Sequence, residues 1–542
     1  MLQTGLLKQG FFHIREKKWF FYSLLTALLI ALPLIFIIVN GLTGQSEYWQ
    51  HVAGNLLGEY LFNTFTIMAG VGALALLIGV SSAWLVSNFK FPFHRFFEWG
   101  MILPLAIPTY IIAFTYSGIF DYTGSYRHLM GGLFSDATVD MLTPDVVNIY
   151  GIIIILSLVL YPYVFLTSKI AFSLSSSSFI EASKSLRTGS WKTFFKVALP
   201  LARPAIVGGL FLVLMEILND YGAVKYFGIN TLTTGIFRMW FSYDDIDAAI
   251  RLSSILLLSV LFLLYIEKKQ RGKKKYHTNM KNPPLIKKQL KGGKAALAFA
   301  VVFLPFLFGF LVPVSQLIGW ATVTFDKVVD ADFFQIVLNS FGLGAASAIL
   351  CALVAVFLIY SSRINKSPIS TWLNKISGIG YAIPGAVIAI GVLSITLLLN
   401  QLFSNFNDAF YIASGGVGLL IYAYIVRFLA VSMNTVEGGF EKISNKMDES
   451  STALGKSSFQ TLFRIHMPLL KRTILAAMIL TFVDTLKELP LTLILRPFNF
   501  DTLATKAFEY AGDEMVAHAS APSLMIILIA IPTIYVLHRA SK

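Results

Sequence analysis

Cysteine occurs once in the 542 residues, at Cys351 inside an apolar run, which excludes an intramolecular disulfide framework and any cysteine-rich metal site. Charge is also scarce, at 13% Asp, Glu, Lys and Arg, against about a quarter in a soluble domain. The eight histidines include no His-x-x-x-His pair, and the acidic loop residues lack the spacing of a calcium loop. A phosphate loop is missing as well. The stretch "ESSTALGKSS" (449–458) ends in Gly455-Lys456-Ser457 but has Ser450 where the first glycine is needed to turn backbone amides onto a phosphate. Catalysis and nucleotide binding by this chain are therefore not expected.

What the sequence has is hydrophobicity, 56% of residues with a mean hydropathy of +0.70. So little polar surface cannot cover a globule of this size, so most apolar residues must face lipid or other membrane helices. Apolar stretches of about 20 residues fall near 19–40, 61–88, 98–118, 148–172, 203–220 and 250–266, then near 295–320, 337–360, 376–400, 412–433, 473–496 and 521–538. The expectation is an all-α polytopic membrane protein of about twelve transmembrane helices, since a helix satisfies its own backbone in hydrocarbon. The first span follows a charged segment, as a signal peptide would, but its length and the lack of a small-x-small cleavage site predict a retained helix.

The net charge of +14 is concentrated in short loops. Segment 267–294 holds eleven basic residues against one acidic, and the N-terminal segment and residues 169–203 are also basic. The opposite loops carry Asp121, Asp136, Asp140 and Asp145, then Asp244, Asp245 and Asp247, then Asp326, Asp330 and Asp332. This asymmetry predicts a multi-pass topology with both termini in the cytoplasm. The basic segment has one interleaved aromatic, Tyr276, and lies between spans, so it reads as a cytoplasmic linker with the lipid bilayer as partner and no nucleic acid.

The two halves repeat one another. "LFNTF" (61–65) matches "VLNSF" (337–341), and "LAIPTYIIA" (105–113) matches "YAIPGAVIA" (381–389), both 276 residues apart. Glu181 in "EASKSLRTGSWKTFFKVALP" and Glu449 in "ESSTALGKSSFQTLFRIHMP" each stand nineteen residues before a proline, Pro200 or Pro468. The expected organisation is a first permease half at 1–266, the linker at 267–294 and a second half at 295–542. Each Glu-to-Pro loop should open with a short helix, capped by Ser178 with Glu181 in one copy and by Asn445 in the other, that ends at a glycine-containing turn; a second helix should then lead to the proline in the first turn of the next span.

The paired loops resemble the cytoplasmic loop of ABC-importer membrane subunits, the EAA loop, with its Glu-Ala-Ala-x-x-x-Gly start and hydrophobic-Pro end. Glu449, Gly455 and Pro468 fall on that pattern, as do Glu181, Ala182 and Pro200; Arg187 replaces the first copy's glycine, with Gly189 two residues later. "ILPLAIPTYIIAFTYSGIFDYTG" (102–124), "MEILNDYGAVKYFGINTLTTGIFRMWF" (215–241) and "LKELPLTLILRPFNFDTLATKAFEYAGDE" (486–514) resemble ferric-iron importer permeases, and the likeness covers nearly the whole chain. It implies the fused two-half membrane subunit of a binding-protein-dependent type I importer in a bacterial inner membrane. Its implied partners are two copies of an ABC ATPase, which bind the ATP, and an extracytoplasmic substrate-binding protein. Glu181 and Glu449 would anchor the ATPase contacts, and this chain itself would carry no cofactor. Related fused permeases move thiamine or phosphonate, which stays open as the cargo. An ion-coupled secondary transporter is the other alternative, against which the two loops speak.

Four carboxylates stand at matched places late in the fifth and eleventh spans: Glu216 and Asp220, then Asp484 and Glu488. A spacing of four puts each pair on one helix face. Charge within a membrane is costly and turns to a partner or an aqueous path. Two readings remain open: hard oxygen ligands for a hard cation on a central pathway, or locks paired with Lys225, Lys487 or Arg496.

Overall fold

The computed structural model describes residues 17–43, 46–185, 190–271, 287–404 and 416–540. Within them the protein is helical, apart from a two-residue parallel bridge of Phe89–Lys90 with Lys288–Gln289. Among the described residues, nine helices are long and apolar enough to cross a membrane, and a pair bent at 89° makes ten if it is one broken span.

The chain packs as two compact units, and these do not follow chain order. One contains the first helix, Lys17–Thr43, with Met239–Ser254 and Ala331–Thr505. The helix lays Ser23, Ala27, Ile30, Ala31, Leu34 and Ile37 into this unit, at the spacing of one helix face. Ser23 donates to Ser361 Oγ at 2.7 Å, Tyr422 donates to the Leu29 carbonyl at 2.6 Å, and Trp19 stacks on Phe357. Gly391 permits the close approach, because a Cβ there would lie 2.7 Å from the Pro33 carbonyl oxygen.

The other unit contains Tyr48–Arg238, Ile255–Asp330 and the described part of 506–542. Here the Gly293–Val328 segment packs with helices of the chain's first half: Tyr116 donates to the Phe308 carbonyl, and Gly309 backs onto the Leu158 carbonyl. The basic segment is helical to Arg271; residues 272–286 lie outside the described residues, and Lys287–Gln289 rejoins this unit. Lys287 pairs with Glu98 at 2.6 Å, and the Leu290 amide donates to the Lys90 carbonyl at 2.9 Å.

The helices at the expected third and ninth spans, 98–118 and 376–400, are broken at the repeated Ala-Ile-Pro. Ile107 and Ile383 are both extended, with φ −94° and ψ 116° or 133°. Proline has no N–H for the ladder and clashes with a helical residue before it, so the chain must leave the helix there. The segments on either side of the first break cross at 89°. New helices then begin at Thr109 and Gly385. The eleventh span likewise stops at Lys487 instead of continuing to 496, and a short helix restarts at Pro490.

The "LFNTF" and "VLNSF" repeats have matching structural roles. Asn63 donates to the Asn230 carbonyl at 2.9 Å, and the Leu232 amide donates to Thr64 Oγ1 at 3.2 Å. In the other unit Asn339 donates to the Asp501 carbonyl at 3.2 Å, and the Leu503 amide donates to Ser340 Oγ at 2.8 Å. Each pair therefore clasps the turn that follows a helix break.

Gly79 and Gly209 bring three helices of the second unit together. A Cβ on Gly79 would lie 2.7 Å from Val164 Cβ, and one on Gly209 would lie 2.9 Å from Val164 Cα, whereas Gly208 has open space. Small residues at such crossings let membrane helices approach closely. Gly209→Val is expected to destabilise the purified protein by about 1–3 kcal/mol by overpacking, and Gly208→Val to have a much smaller effect. Equal shifts in thermal midpoint for the two would show that the close crossing does not govern stability.

Candidate functional site

The second Glu-to-Pro loop is fully described. A helix spans Asn445–Ala453, and its cap is Ser444 rather than Asn445: the Ser444 side chain accepts from the Lys446 amide. Ser444 has the extended backbone a cap needs, and Asn445 is already helical. Gly455 closes the helix at φ +70°. Its amide donates to the Thr452 carbonyl at 2.9 Å and the Lys456 amide to Ser451 at 3.1 Å, the paired bonds of a Schellman turn, whose left-handed residue favours glycine. Ser457 then opens the next helix through a capping box with Gln460.

Pro468 lies in the first turn of the Met467–Lys487 helix, which is continuous with the helix before it. The chain runs on through a π-helical turn at Leu462–His466 into Met467–Lys487, as its counterpart runs through Phe194–Ala198 into Leu199–Asn219 with Pro200. A proline lacks its own N–H and crowds the carbonyl four residues back, and the wider turn just before it relieves both.

The first copy has a different shape. Ile149–Ser185 is one continuous helix through Glu181 and Ala182, so no helix begins at Ser178. No Gly or Pro between 173 and 185 stops it. The side chains of Ser178, Glu181 and Ala182, and all of Arg187 and Gly189, lie outside the described residues.

Glu449 is exposed and lines a cavity of about 210 Å³ with Arg363, Lys366 and Lys456. Met447 and Leu454 of the same loop are 44% and 77% exposed. The adjacent Asp448 turns the other way, into the protein. Arg363 Nε donates to its Oδ2 at 2.8 Å, and His466 Nε2 lies 2.6 Å from Oδ1.

The four carboxylates expected in the fifth and eleventh spans divide by position. Glu216 and Asp484 are half-buried on their helices. Asp220 and Glu488 are buried at the points where those helices break. Asp220 Oδ1 accepts from the Ala223 and Val224 amides at 3.0 and 3.2 Å, and Glu488 Oε1 accepts from the Leu491 amide at 3.1 Å. Both acids thus cap the short helix that follows.

The second oxygen distinguishes them. Glu488 Oε2 pairs with Arg427 Nε at 3.0 Å, with both side chains under 10% exposed. Arg427 Nη1 also donates to the Ile383 carbonyl at 2.9 Å, so one guanidinium ties the break at Ala-Ile-Pro to the break at Glu488. Gly385 leaves room for the pair, as a Cβ there would fall on the Glu488 carboxylate. Asp220 Oδ2 has no hydrogen-bond partner among the described residues. Of the expected cations, Arg496 pairs with Asp501. Arg427 was the missed partner, and its signal was a lone basic residue deep in the apolar stretch of Val417–Glu441. Among the described residues, no three His, Cys, Asp or Glu side chains gather as a metal-binding group.

Residues 75–269 and 348–541 each match the family model of the binding-protein-dependent transport system inner membrane component. The chain belongs to this family. An Fe(3+)-transport system permease protein of Haemophilus influenzae, FbpB 2, is 27% identical over 95% of this chain and 97% of its own length. The ferric transport system permease protein FbpB of Actinobacillus pleuropneumoniae is 23% identical over 94% and 76%. A sulfate transport system permease protein, CysT of Escherichia coli, is 25% identical over 45% of this chain and 87% of its own length. The binding-protein-dependent transport fold is thus present twice in one chain, and each copy contains one Glu-to-Pro loop and one carboxylate-capped break.

Breaking a buried ion pair from one side leaves an uncompensated charge, at about 3–5 kcal/mol. Arg427→Met should therefore destabilise the purified protein by about that much, and the double variant Arg427→Met/Glu488→Leu should recover much of the loss. A double variant at least as unstable as the single one would show that the pair does not act as a unit.

Proposed function

We propose that the chain is the permease subunit of an ATP-driven importer for ferric iron in a bacterial inner membrane, with iron handed over by an extracytoplasmic binding protein. The observation that carries the cargo assignment is coverage. The iron-named relative aligns with both halves of this chain nearly end to end, whereas the sulfate-named one spans less than half of it.

Both termini face the cytoplasm in this reading, which the Lys and Arg distribution supports. The loops at 181–200 and 449–468 then lie on the cytoplasmic side, where each receives one of two ATPase copies. The shape of the second loop suits that role: a short helix closed at both ends presents Glu449, Met447 and Leu454 outward. ATP is bound and hydrolysed on those partner chains. Their closure opens the permease outward to accept cargo, and hydrolysis returns it inward, each ligand acting by preferring one of two states. Asp220 and Glu488 serve as gating locks at the helix breaks.

The test is uptake of radiolabelled ferric iron, with thiamine and sulfate in parallel, in cells lacking this gene and complemented with the intact chain or a Glu181→Ala/Glu449→Ala variant. Iron uptake should return with the intact chain and fall at least tenfold in the variant, which should also lose its co-purifying ATPase. Restored thiamine or sulfate uptake without iron uptake would overturn the cargo assignment. Uptake independent of ATPase binding would favour an ion-coupled carrier.

A further inference from the structure

Asp448 sits one residue before Glu449 on the loop helix, yet its carboxylate is spent inside the protein. Arg363, near the end of the Ala331–Asn365 helix, reaches Oδ2 through both Nε and Nη2 at 2.8 Å. The same guanidinium donates to the Phe440 and Ile443 carbonyls, each at 2.9 Å, where the preceding Val417–Glu441 helix ends. A planar fork with several donors can hold a carboxylate and two carbonyls at once, as a lysine cannot.

From the other side His466 approaches Asp448 Oδ1 at 2.6 Å. His466 is fully buried in the π-helical turn, between the rings of Tyr360 and Phe440, and its Nδ1 has no hydrogen-bond partner among the described residues. An Nε2–H tautomer donating to the carboxylate fits that environment. Tyr360 completes the enclosure by donating to the Ser458 carbonyl at 2.6 Å. Asp448 thus joins the loop helix to three others: the one ending at Asn365, the one ending at Glu441 and the one that continues from His466.

At the positions that match these three, the first half carries other residues. With the "LFNTF" and Pro92/Pro368 registers, Ser87 stands where Arg363 is; with the Glu181/Glu449 register, Ile180 and Ala198 stand where Asp448 and His466 are. We infer that Arg363, Asp448 and His466 are positioning residues that clamp the second coupling loop to its helices, so that the second half transmits the ATPase stroke more rigidly than the first. This rests on the coupling role proposed for the loop. A clamp of this kind changes how much movement reaches the membrane for each ATP, not how well the ATPase binds, because Glu449 and the exposed Met447 and Leu454 are left free for the partner.

The test converts the clamp to the first-half residues, as Arg363→Ser/Asp448→Ile/His466→Ala, alongside the gentler single variant Arg363→Lys, in the full chain co-expressed with its ATPase. The expected result is an assembled complex that hydrolyses ATP within about twofold of wild type but moves at least tenfold less ferric iron per ATP, with Arg363→Lys intermediate. Hydrogen exchange of the 448–454 amides in the purified chain reads the clamp without cargo or ATPase, and protection there should fall by at least tenfold in the triple variant. Iron moved per ATP within twofold of wild type in both variants would overturn the inference, as would unchanged exchange. If the wild-type chain carries another cargo, the exchange result still decides the clamp; if the triple variant does not assemble, Arg363→Lys decides it.

Discussion

The Arg427–Glu488 pair is the interaction on which the second-half helices depend. In hydrocarbon every backbone N–H and C=O must be satisfied within the protein, so a helix can break only where side chains take over the freed groups. Arg427 takes the carbonyl at the Ile383 break, Glu488 takes an amide at the Leu491 restart, and the two charges neutralise each other. Tyr424 closes the same region by bonding Thr492, whose hydroxyl donates to the Glu488 carbonyl. Without the ion pair, the two helix breaks would lose the side chains that tie them together.

The matched break in the first half solves the same backbone problem with less. Asp220 supplies two amides with an acceptor, and Thr233 donates to its carbonyl at 2.7 Å. Its second oxygen remains without the cation that Glu488 has. The Glu-to-Pro loops differ in the same sense: the second is capped, closed by Gly455 and tied down by Arg363 and His466, while the backbone of the first continues as an unbroken helix to Ser185. The two halves share the plan, and among the described residues these polar reinforcements lie in the second half.

The packing units draw on both halves of the chain. The Lys17–Thr43 helix finds its small-residue face matched by helices from the 331–505 region, and the Gly293–Val328 segment finds its partners among helices of the 48–238 region. A single polypeptide carrying both halves places each first helix within reach of the other half's helices. Membership in the binding-protein-dependent transport family accounts for the two repeats, and the clasps at Asn63 and Asn339 show that the repeat extends to individual hydrogen bonds.

Hydropathy, basic loops and the 276-residue register were enough to read an all-α membrane protein built twice and to point to its two loops, because lipid exposure and repeated spacing act locally along the chain. The positions of Asp220 and Glu488 were also legible, since a carboxylate in an apolar run stands out whatever it contacts. Tertiary structure alone decided what those acids do: their partners are backbone amides at helix breaks and, for Glu488, an arginine 61 residues away in sequence. It also decided that Ala-Ile-Pro bends a span, that Ser444 and not Asn445 caps the loop, and that Asp448 is clamped while its neighbour Glu449 is free. Each depends on which groups the fold brings within hydrogen-bond distance, a condition that spacing along one chain does not contain.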